Sequence, residues 1–439
     1  MATAPIQFNK FEVYSNENDS SVDLRAGSPV IEYRESVFVP FVTVTAALVD
    51  SGTTVPEGDT ADYVTFLEGL TGNGTEKVLF NIADSFGNTL DLSGNNDLRV
   101  SSINNVKQSF QSSTSLLTFV SKEAFDNLLS EHSCDNRYEN QIDNVVTTIL
   151  ENNLASDKDI DVDFTMGPIF REWGNKKKPF EMISKLQKIA VPALPDALGN
   201  MAGYLFWMTS EGFKFKSLDK IFQKTRILKR YILNDKGNEV IPPGFTDKIL
   251  FYRLARNTDA LRQMAAGTWD ASITTFNEIE NKLERKRTIN QTNATIRGGD
   301  GPVVLNSDFA DKNTKGVFAT QTRGTHYSAF LPIKTQVEEQ TDEQSYPVQD
   351  ILVQSLQNYR QKFNVSVEIK IDADFSLHAG DLVEIEIPQI STKKTKVRSA
   401  KDSGIYMIAD LCHYCDQTQT YTGLNLVRDS YGVKGEEDV

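Results

Sequence analysis

The phrase Cys412-His413-Tyr414-Cys415 is the part of the sequence whose residue types most suggest chemistry. Cysteines at this spacing can bind zinc, but a structural zinc site needs four ligands and the chain has no second such pair. On a β-strand, residues three apart also point to opposite faces. We therefore interpret the phrase as part of a strand and its turn, and we predict neither a metal nor a cofactor.

Three alternating carboxylates, Asp159, Asp161 and Asp163, form a second candidate site. Clustered oxygens suit a hard cation such as Ca²⁺. The glycine and the closing glutamate of an EF-hand loop are missing here, however. A solvated strand face is therefore the favoured interpretation, and a calcium site is the alternative.

The histidines give no sign of catalysis. There are four, His132, His326, His378 and His413, and none lies in a recognisable catalytic phrase. The sequence also lacks a G-x-S-x-G elbow, an H-E-x-x-H helix and a phosphate-binding glycine loop. Acid–base catalysis needs a poised pair of groups, and nothing singles one out. The sequence therefore predicts a protein that is not an enzyme.

Composition narrows the classes of partner. The chain has 46 Lys and Arg against 60 Asp and Glu, a net charge of −14, which disfavours binding to nucleic-acid phosphates or anionic lipid. The basic run from Lys214 to Arg230 is either a solvated face or a docking surface for an acidic partner. No apolar run approaches the roughly 18 to 20 residues of a membrane span. The first residues lack a secretory signal, so we expect a cytoplasmic origin and no membrane insertion.

Periodicity divides the chain into strand-rich ends and a mixed middle. Alternating apolar residues up to about Glu123 predict strands. The segment from Ile142 to Leu150, and a helix beginning near Pro179, follow a helical period. Near the C-terminus, a helix at 346–363 precedes four alternating strands, which are typical of a half-buried antiparallel sheet.

A weak internal repeat links the two ends. The predicted hairpin from Leu98 to Lys122 resembles the one from Ile405 to Asp429. Their return strands are Leu117-Thr118-Phe119-Val120 and Leu424-Asn425-Leu426-Val427. Either two unrelated hairpins are alike by chance, or the chain carries two copies of one barrel with an α/β region inserted between them.

We predict an α+β fold that is mainly β, with two similar antiparallel β-barrel domains and an inserted α/β region. The predicted segments are a first barrel at 1–120, the first part of the inserted domain at 121–203, strands joining the second barrel at 204–233, the second part of the inserted domain at 234–318, the second barrel at 319–430 and an acidic tail at 431–439.

Several phrases of the sequence resemble baseplate hub proteins of contractile-tailed bacteriophages, a family related to the hub portion of contractile injection system spikes. The resemblance covers most of the chain in order, although 290–315 matches nothing in the family. The phrases are Tyr204-Leu205-Phe206-Trp207 with Glu211-Gly212-Phe213-Lys214-Phe215, the segment from Leu377 to Pro388, the segment from Gly404 to Ala409 with His413 and Leu426-Val427-Arg428-Asp429, and the segment from Leu117 to Glu123.

The resemblance implies a structural virion protein with two tail-tube-like barrels, assembled as a homotrimer. Such a ring would join the hexameric tail tube, or its tube-initiator protein, to the trimeric central spike, with baseplate wedge proteins around it. It would be assembled in the host bacterial cytoplasm and lie in the virion tail baseplate. DNA would pass through its channel without specific binding. Glu384 and Glu386 are candidates for an acidic channel lining; ordinary solvated strand residues are the alternative.

Three other functions stay open at this point. A hexameric tube initiator or another tail adaptor would share the strand patterning. A tail-associated cell-wall hydrolase belongs to a different class, and it would need an acid and a base that the sequence does not reveal. A carbohydrate-binding adhesin is the third alternative, although the wide spacing of Trp173, Trp207 and Trp269 argues against it.

Overall fold

The computed structural model describes residues 6–16, 21–25, 27–51, 55–56, 63–64, 74–94, 97–109, 112–166, 169–193, 202–223, 227–233, 247–256, 261, 270–277, 282–289, 325–330, 348–389, 398–399, 401–416 and 419–430. The predicted tail at 431–439 and most of 234–347 lie outside these residues. Among the described helices, none combines the length and apolar character that crossing a membrane requires.

The first quarter of the chain is built of strands, as its alternating pattern predicts. They are β1 (Gln7–Tyr14), β2 (Ser21–Asp23), β3 (Val30–Ser36), β4 (Thr43–Asp50), β5 (Val55–Pro56), β6 (Tyr63–Val64), β7 (Lys77–Ala83), β8 (Thr89–Leu92), β9 (Leu98–Gln108) and β10 (Ser113–Ser121).

The middle of the chain mixes helices and short strands. These elements are α1 (Lys122–Asp126), a 3-10 turn (Ser130–His132), β11 (Arg137–Asn140), α2 (Ile142–Thr148) running into a π-helical turn (Ile149–Asn153), β12 (Asp159–Val162), β13 (Thr165–Met166), β14 (Phe170–Trp173), α3 (Pro179–Leu186), β15 (Val191–Pro192), β16 (Tyr204–Thr209), β17 (Gly212–Ser217), α4 (Leu218–Gln223), β18 (Lys229–Leu233), β19 (Lys248–Ile249), β20 (Phe251–Arg256), β21 (Asp270–Asn277), β22 (Lys282–Ile289) and β23 (Thr325–Phe330). The helices predicted near Ile142 and Pro179 are present.

The last part of the chain contains one helix and four strands, in the order that the sequence predicts. They are α5 (Val348–Lys362), β24 (Val365–Asp372), β25 (Leu382–Glu386), β26 (Gly404–Asp416) and β27 (Thr420–Arg428). Helix α5 ends at Lys362, whose buried ammonium lies 3.6 Å from Asp219 and 3.5 Å from Asp429. These two ion pairs attach the helix to α4 and to the end of β27.

One large sheet contains strands from both ends of the chain. Its main path runs β19-β18-β25-β26-β3-β4-β10-β9-β7-β1-β2, and β27, β24 and β20 branch from β26 in that order. Of the predicted joining region at 204–233, β18 enters this sheet beside β25. Strands β16 and β17 instead form a separate three-stranded sheet with β12, in the order β12-β17-β16. The fold is therefore mainly β, as predicted.

Two groups of five strands within the large sheet have the same order. The N-module is β3-β4-β10-β9-β7, and the C-module is β20-β24-β27-β26-β25. Every neighbouring pair in both modules is antiparallel. The two hairpins compared in the sequence, β9 with β10 and β26 with β27, occupy corresponding places.

The register of the two modules agrees over most of their strands. The differences are an extra bulge at Val106 in β9 and one at Ala255 in β20, which β26 and β3 lack. In the N-module, Phe119 of β10 faces Val44 of β4, and in the C-module Leu426 of β27 faces Val367 of β24. The shared register continues along both strand pairs. Because a slip by one residue would turn each side chain to the other face of its sheet, this agreement supports a true repeat.

A β-bulge marks the same place in both hairpins. In β9 the bulged residue is Ser101, which lies between the residues that pair with Thr118 and Phe119. In β26 it is Ala409, which lies between the residues that pair with Asn425 and Leu426. A bulge adds one unpaired residue and bends its strand, so its position is specific. The matching bulges make a chance likeness of two hairpins a poor explanation.

The prediction of two closed barrels is not confirmed. No closed barrel is found among the described residues. No pairing there joins β1 to β3, and β18 pairs with β19, which precedes β20, but not with β20 itself. The modules are joined to each other instead, because the second half of β26 pairs with β3. The physical reason is that β26 is long enough to use one edge for β25 and, farther along, for β3.

The core is continuous through this junction. Inward-facing side chains of both modules and of the middle region belong to a single apolar cluster. A second, smaller cluster packs α4 and α5 against the sheet around Trp207, Leu218 and Met407. All six residues of β16 are buried, which agrees with its position between these layers.

Candidate functional site

The junction between the modules contains a buried carboxylate, Glu35. The alternation of β3 turns Glu35 inward together with Ile31 and Tyr33, and its side chain has no exposed surface. It accepts hydrogen bonds from the Tyr33 hydroxyl at 2.5 Å and from the backbone N–H of Ser210 at 3.0 Å. A buried charge is stable only when it is paired and hydrogen-bonded, and these donors meet part of that need.

His378 is the ionic partner of Glu35. It lies in the turn before β25, with its Nδ1 3.2 Å from Glu35 Oε1 and its Nε2 3.7 Å from Glu211 Oε1. The backbone N–H of Ala379 donates to Glu35 Oε2 at 2.9 Å. The N-module, the turn between β16 and β17, and the C-module therefore meet at one carboxylate.

Electrostatics favours the ionic form of this pair. Burial opposes the charged form of His378, but Glu35, Glu211 and Asp381 outweigh it and raise the pKa of His378 to about 9. Burial also opposes the charge of Glu35, yet His378 and the surrounding donors hold the pKa of Glu35 below its usual value. Opposite charges within a few ångströms favour both charged forms. At neutral pH the junction is thus an imidazolium–carboxylate pair.

Trp207 seals the same junction from the side of β16. Its indole N–H donates to the carbonyl of Ala379 at 2.9 Å. Gly380 adopts a φ of +90°, and a Cβ at this position would lie 2.4 Å from Trp207 Cζ2. Only glycine provides both this backbone conformation and this close approach. The phrases at Tyr204-Leu205-Phe206-Trp207 and Leu377-His378-Ala379-Gly380 are therefore in contact in the fold.

The Cys412-His413-Tyr414-Cys415 phrase lies on β26, as predicted. His413 is buried, stacks on Tyr33 with ring centroids 5.7 Å apart, and has its Nδ1 2.8 Å from Thr422 Oγ1. Burial lowers the pKa of His413 to about 4, which keeps the ring neutral. Cys412 and Cys415 are free thiols. Within the described part of the chain, no three His, Cys, Asp or Glu side chains are placed to hold a metal ion.

The candidate calcium carboxylates pair with lysines of the basic run. Asp163 is buried and lies 3.1 Å from Lys216 and 2.9 Å from Lys220. Asp161 pairs with Lys216 and lies 3.7 Å from Lys214. Parallel pairing of β12 with β17 brings the two sets together. These lysines offset the charge of the acidic cluster. Because Asp163 is buried, the predicted solvated strand face applies only to Asp159 and Asp161.

Glu384 and Glu386, the candidates for a channel lining, point to the same side of β25 and are each paired with arginine. Glu384 Oε1 lies 2.6 Å from Arg398, and Glu386 pairs with Arg230. The corresponding positions of β7 in the N-module are Leu79 and Asn81, because Val78 and Val383 hold equivalent places in the register. The arginines offset the acidic charge, and the first module does not repeat it.

A groove of about 720 Å³, lined by polar and apolar residues, lies where the two modules join. It is formed by outward-facing side chains of β3, β20, β24, β26 and β27. Lys370 crosses it with its ammonium 4.1 Å from the centre of the Tyr421 ring, and Asp410 accepts hydrogen bonds from Ser36 and Asn425. The floor of the groove is thus an ordered network of internal contacts.

Sequence reasoning missed the Glu35–His378 pair. Glu35 stands in an alternating strand at a position where an apolar residue is expected, and this was the available signal. His378 lies in the family-like segment from Leu377 to Pro388, but nothing in that segment indicates an ionic partner. Its partner is far away in sequence, so spacing gives no indication of the contact.

Comparisons with known proteins give a likeness in structure alone. No protein-family model matches the chain, and no curated protein matches it in sequence. The 43 kDa tail protein of prophage MuSo2 from Shewanella oneidensis is similar in structure, with a TM-score of 0.51 at 10% identity, over 96% of this chain and 99% of that one. A tail protein from Neisseria meningitidis MC58 gives a TM-score of 0.49 at 7% identity, over 97% of both chains.

A component of the type VI secretion system from E. coli gives a TM-score of 0.43 at 9% identity, over 98% of this chain and 80% of that one. The comparison with the MuSo2 protein decides the fold, because it spans nearly all of both chains. The resemblance that the sequence phrases indicated is therefore confirmed at the level of the fold: this chain has the fold of a phage tail protein.

Proposed function

We propose that the chain is a non-enzymatic structural subunit of a contractile phage-type tail, the baseplate hub protein. Three copies form a ring that joins the hexameric tail tube, or its initiator, to the trimeric central spike. Baseplate wedge proteins surround this ring, and DNA passes through its channel. The ring lies in the virion tail baseplate and is assembled in the host cytoplasm.

One observation carries this proposal: a single chain holds two modules with the same strand order, register and bulge. Three such chains present six similar modules around one axis. A ring of this kind offers sixfold contacts on one face while keeping the threefold symmetry of its subunits on the other. The fold of the MuSo2 tail protein supports the same class of function.

The junction at Glu35 suits a structural subunit. It holds both modules and the β16–β17 turn in one fixed arrangement through a buried charge pair. Removing one partner of such a pair is expected to cost about 3–5 kcal/mol, since the other charge is left uncompensated. We assign the site to holding the spacing of the two modules, and we assign no reaction to it.

The domain boundaries and the channel lining belong to the same proposal. We propose that 121–203 and 234–318 are two parts of one inserted domain between the modules. Glu384 and Glu386 stay candidates for the channel wall, but pairing with Arg398 and Arg230 makes that wall nearly neutral. A neutral wall would also let DNA pass without binding.

The oligomeric mass of the purified chain in solution tests the proposal. We expect three copies. Six copies would favour the alternative of a tube initiator, which is hexameric. A turbidity assay on bacterial cell walls tests the enzyme alternative, and clear lysis by the purified protein would overturn the non-enzymatic assignment.

A further inference from the structure

Strand β26 connects the two modules by using both of its edges. Between Asp410 and Cys415 it pairs with β27 on one side and with β3 on the other, both antiparallel. Opposite Tyr414 stand Tyr421 on β27 and Glu32 on β3. Among the described strands, this pairing joins the C-module to the N-module within one chain.

The repeat assigns a counterpart to each strand of this contact. The counterpart of β26 is β9. Leu411 of β26 faces Leu424 in its hairpin, and Ile103 of β9 faces Leu117, the residue equivalent to Leu424. The counterpart of β3 is β20. Residue for residue, Tyr33 faces Val44 in the N-module as Leu254 faces Val367 in the C-module.

These counterparts are not paired with each other in the chain. Beyond Val100, β9 pairs with β10 alone among the described residues, and β20 pairs there with β24 alone. They are the two ends of the run β20-β24-β27-β26-β3-β4-β10-β9. The run of strands therefore ends in the counterparts of the two strands that join the modules: β9, the counterpart of β26, at one end and β20, the counterpart of β3, at the other.

We propose that the second half of β9 in one copy pairs antiparallel with β20 of the next copy, in the way that β26 pairs with β3 within the chain. This inference rests on the proposed ring and names its subunit contact. The contact is heterologous, since two different edges meet, and such contacts form rings when the rotation closes.

The register follows from the intrachain junction. Lys107 is the counterpart of Tyr414, because it faces Thr114 as Tyr414 faces Tyr421, although β9 carries one extra residue, Val106, just before it. Since Tyr414 faces Glu32, Lys107 and Arg253 stand opposite each other across the proposed contact. Both side chains are exposed. Arg253 is bound to Glu368 at 2.6 Å, which balances its charge beside Lys107.

The open edges of β9 and β20 carry charged side chains, as expected for edges that pair with one specific partner and not with any strand. An open strand edge presents unpaired backbone groups and is a hazard for aggregation, and natural proteins often protect such edges with charged side chains. Here Lys107 on β9 and Arg253 on β20 have that role in the free chain. In the ring, both edges would be covered by backbone hydrogen bonds.

Cysteine cross-linking tests the contact in the full chain. Directly opposite residues of antiparallel strands have Cβ atoms about 4.5–5.5 Å apart, close enough for a disulfide after small adjustments. We expect Lys107→Cys with Arg253→Cys to give covalent oligomers after mild oxidation, resolved on non-reducing gels and ending at three chains. Each single variant, and Lys107→Cys with the exposed Arg137→Cys on β11, should give none. Both altered side chains are exposed, so unfolding midpoints should match the wild type.

The oligomeric mass of the wild type separates this inference from the proposed function. A trimer whose two cysteines cross-link supports both. A trimer in which the two cysteines form no disulfide after mild oxidation overturns the strand pairing, but it leaves the proposed ring intact. Cross-linked species larger than three chains keep the strand pairing but overturn the trimer, and a monomer without cross-links overturns both.

Discussion

His378 Nδ1 lies 3.2 Å from Glu35 Oε1, although the two residues are 343 positions apart in the chain. The contact joins a strand of the first module to the turn that opens the second. Because the pair is buried and oppositely charged, its contribution to the stability of the fold depends on pH. An apolar contact between the same elements would not have this dependence.

The free energy of unfolding should decrease as pH rises above neutral, because His378 then loses its proton and its charge. Its pKa is raised from 6.5 to about 9 in the folded state. A raised pKa contributes stability that is complete below about pH 6.5 and is lost as pH rises towards 9, on the order of 2–3 kcal/mol. Urea unfolding at pH 6.5 and pH 9 measures the loss. The His378→Gln variant should show a smaller difference between the two pH values; an unchanged difference would contradict an ionic junction.

His413 should make the free energy of unfolding decrease as pH falls below about 6.5. Burial lowers its pKa from 6.5 to about 4, so its contribution is complete above about pH 6.5 and decreases as pH falls to 4. Between pH 6.5 and 5, where glutamates stay mostly ionised, the slope of unfolding free energy against pH should be flatter in His413→Gln. The comparison uses slopes, because the substitution also removes the contact with Thr422. Equal slopes would mean that the ring is not buried in its neutral form.

Gly380→Ala should disrupt the junction more than a matched glycine substitution. Gly380 and Gly87 have φ values of +90° and +88°, so alanine is strained at both positions. At Gly87 nothing lies within 4 Å of the added Cβ, whereas at Gly380 the Trp207 ring lies 2.4 Å away. Strain alone should cost about 1–2 kcal/mol at each site. The steric clash should add about 1–3 kcal/mol at Gly380 only, measured by chemical unfolding. Equal losses would show that Trp207 can move aside.

Asp163→Asn should be costly and Asp159→Asn nearly neutral. Asp163 is buried against two lysines and also accepts the backbone N–H of Ser217 at 3.1 Å, whereas Asp159 is exposed. We expect a loss of about 1–3 kcal/mol for Asp163→Asn and less than about 0.5 kcal/mol for Asp159→Asn. Millimolar Ca²⁺ should leave the Tm of the wild type unchanged. A calcium-dependent rise that Asp163→Asn abolishes would restore the calcium interpretation.

Local elements were predictable where a single period dominates. Helix α5 and strands β24 to β27 follow from alternation and helical spacing, because each of them buries one face against the core. The repeat was detectable in the hairpins, since Leu117 and Leu424 start similar apolar strands. Closed barrels did not follow from this pattern, because alternation fixes which face is buried and not which edges meet.

Long-range charge pairs were not predictable in the same way. Asp163 and Lys216 were both recognised, but as separate patches, because parallel pairing of β12 with β17 cannot be derived from either segment alone. Strand β20, which completes the C-module, has too short a pattern to stand out before its partner β24 is known. The sequence thus indicated the class of fold, and the structure was needed to show the junction.

Strand β26 leaves no place for a hinge between the modules. From Asp410 to Cys415 its backbone is bonded on both sides, so bending one module against the other would require several main-chain hydrogen bonds to break together. Amide protons along this segment should be among the slowest in the chain to exchange with solvent. A subunit built in this way would transmit a twisting force from one half to the other, and would move as a single rigid body.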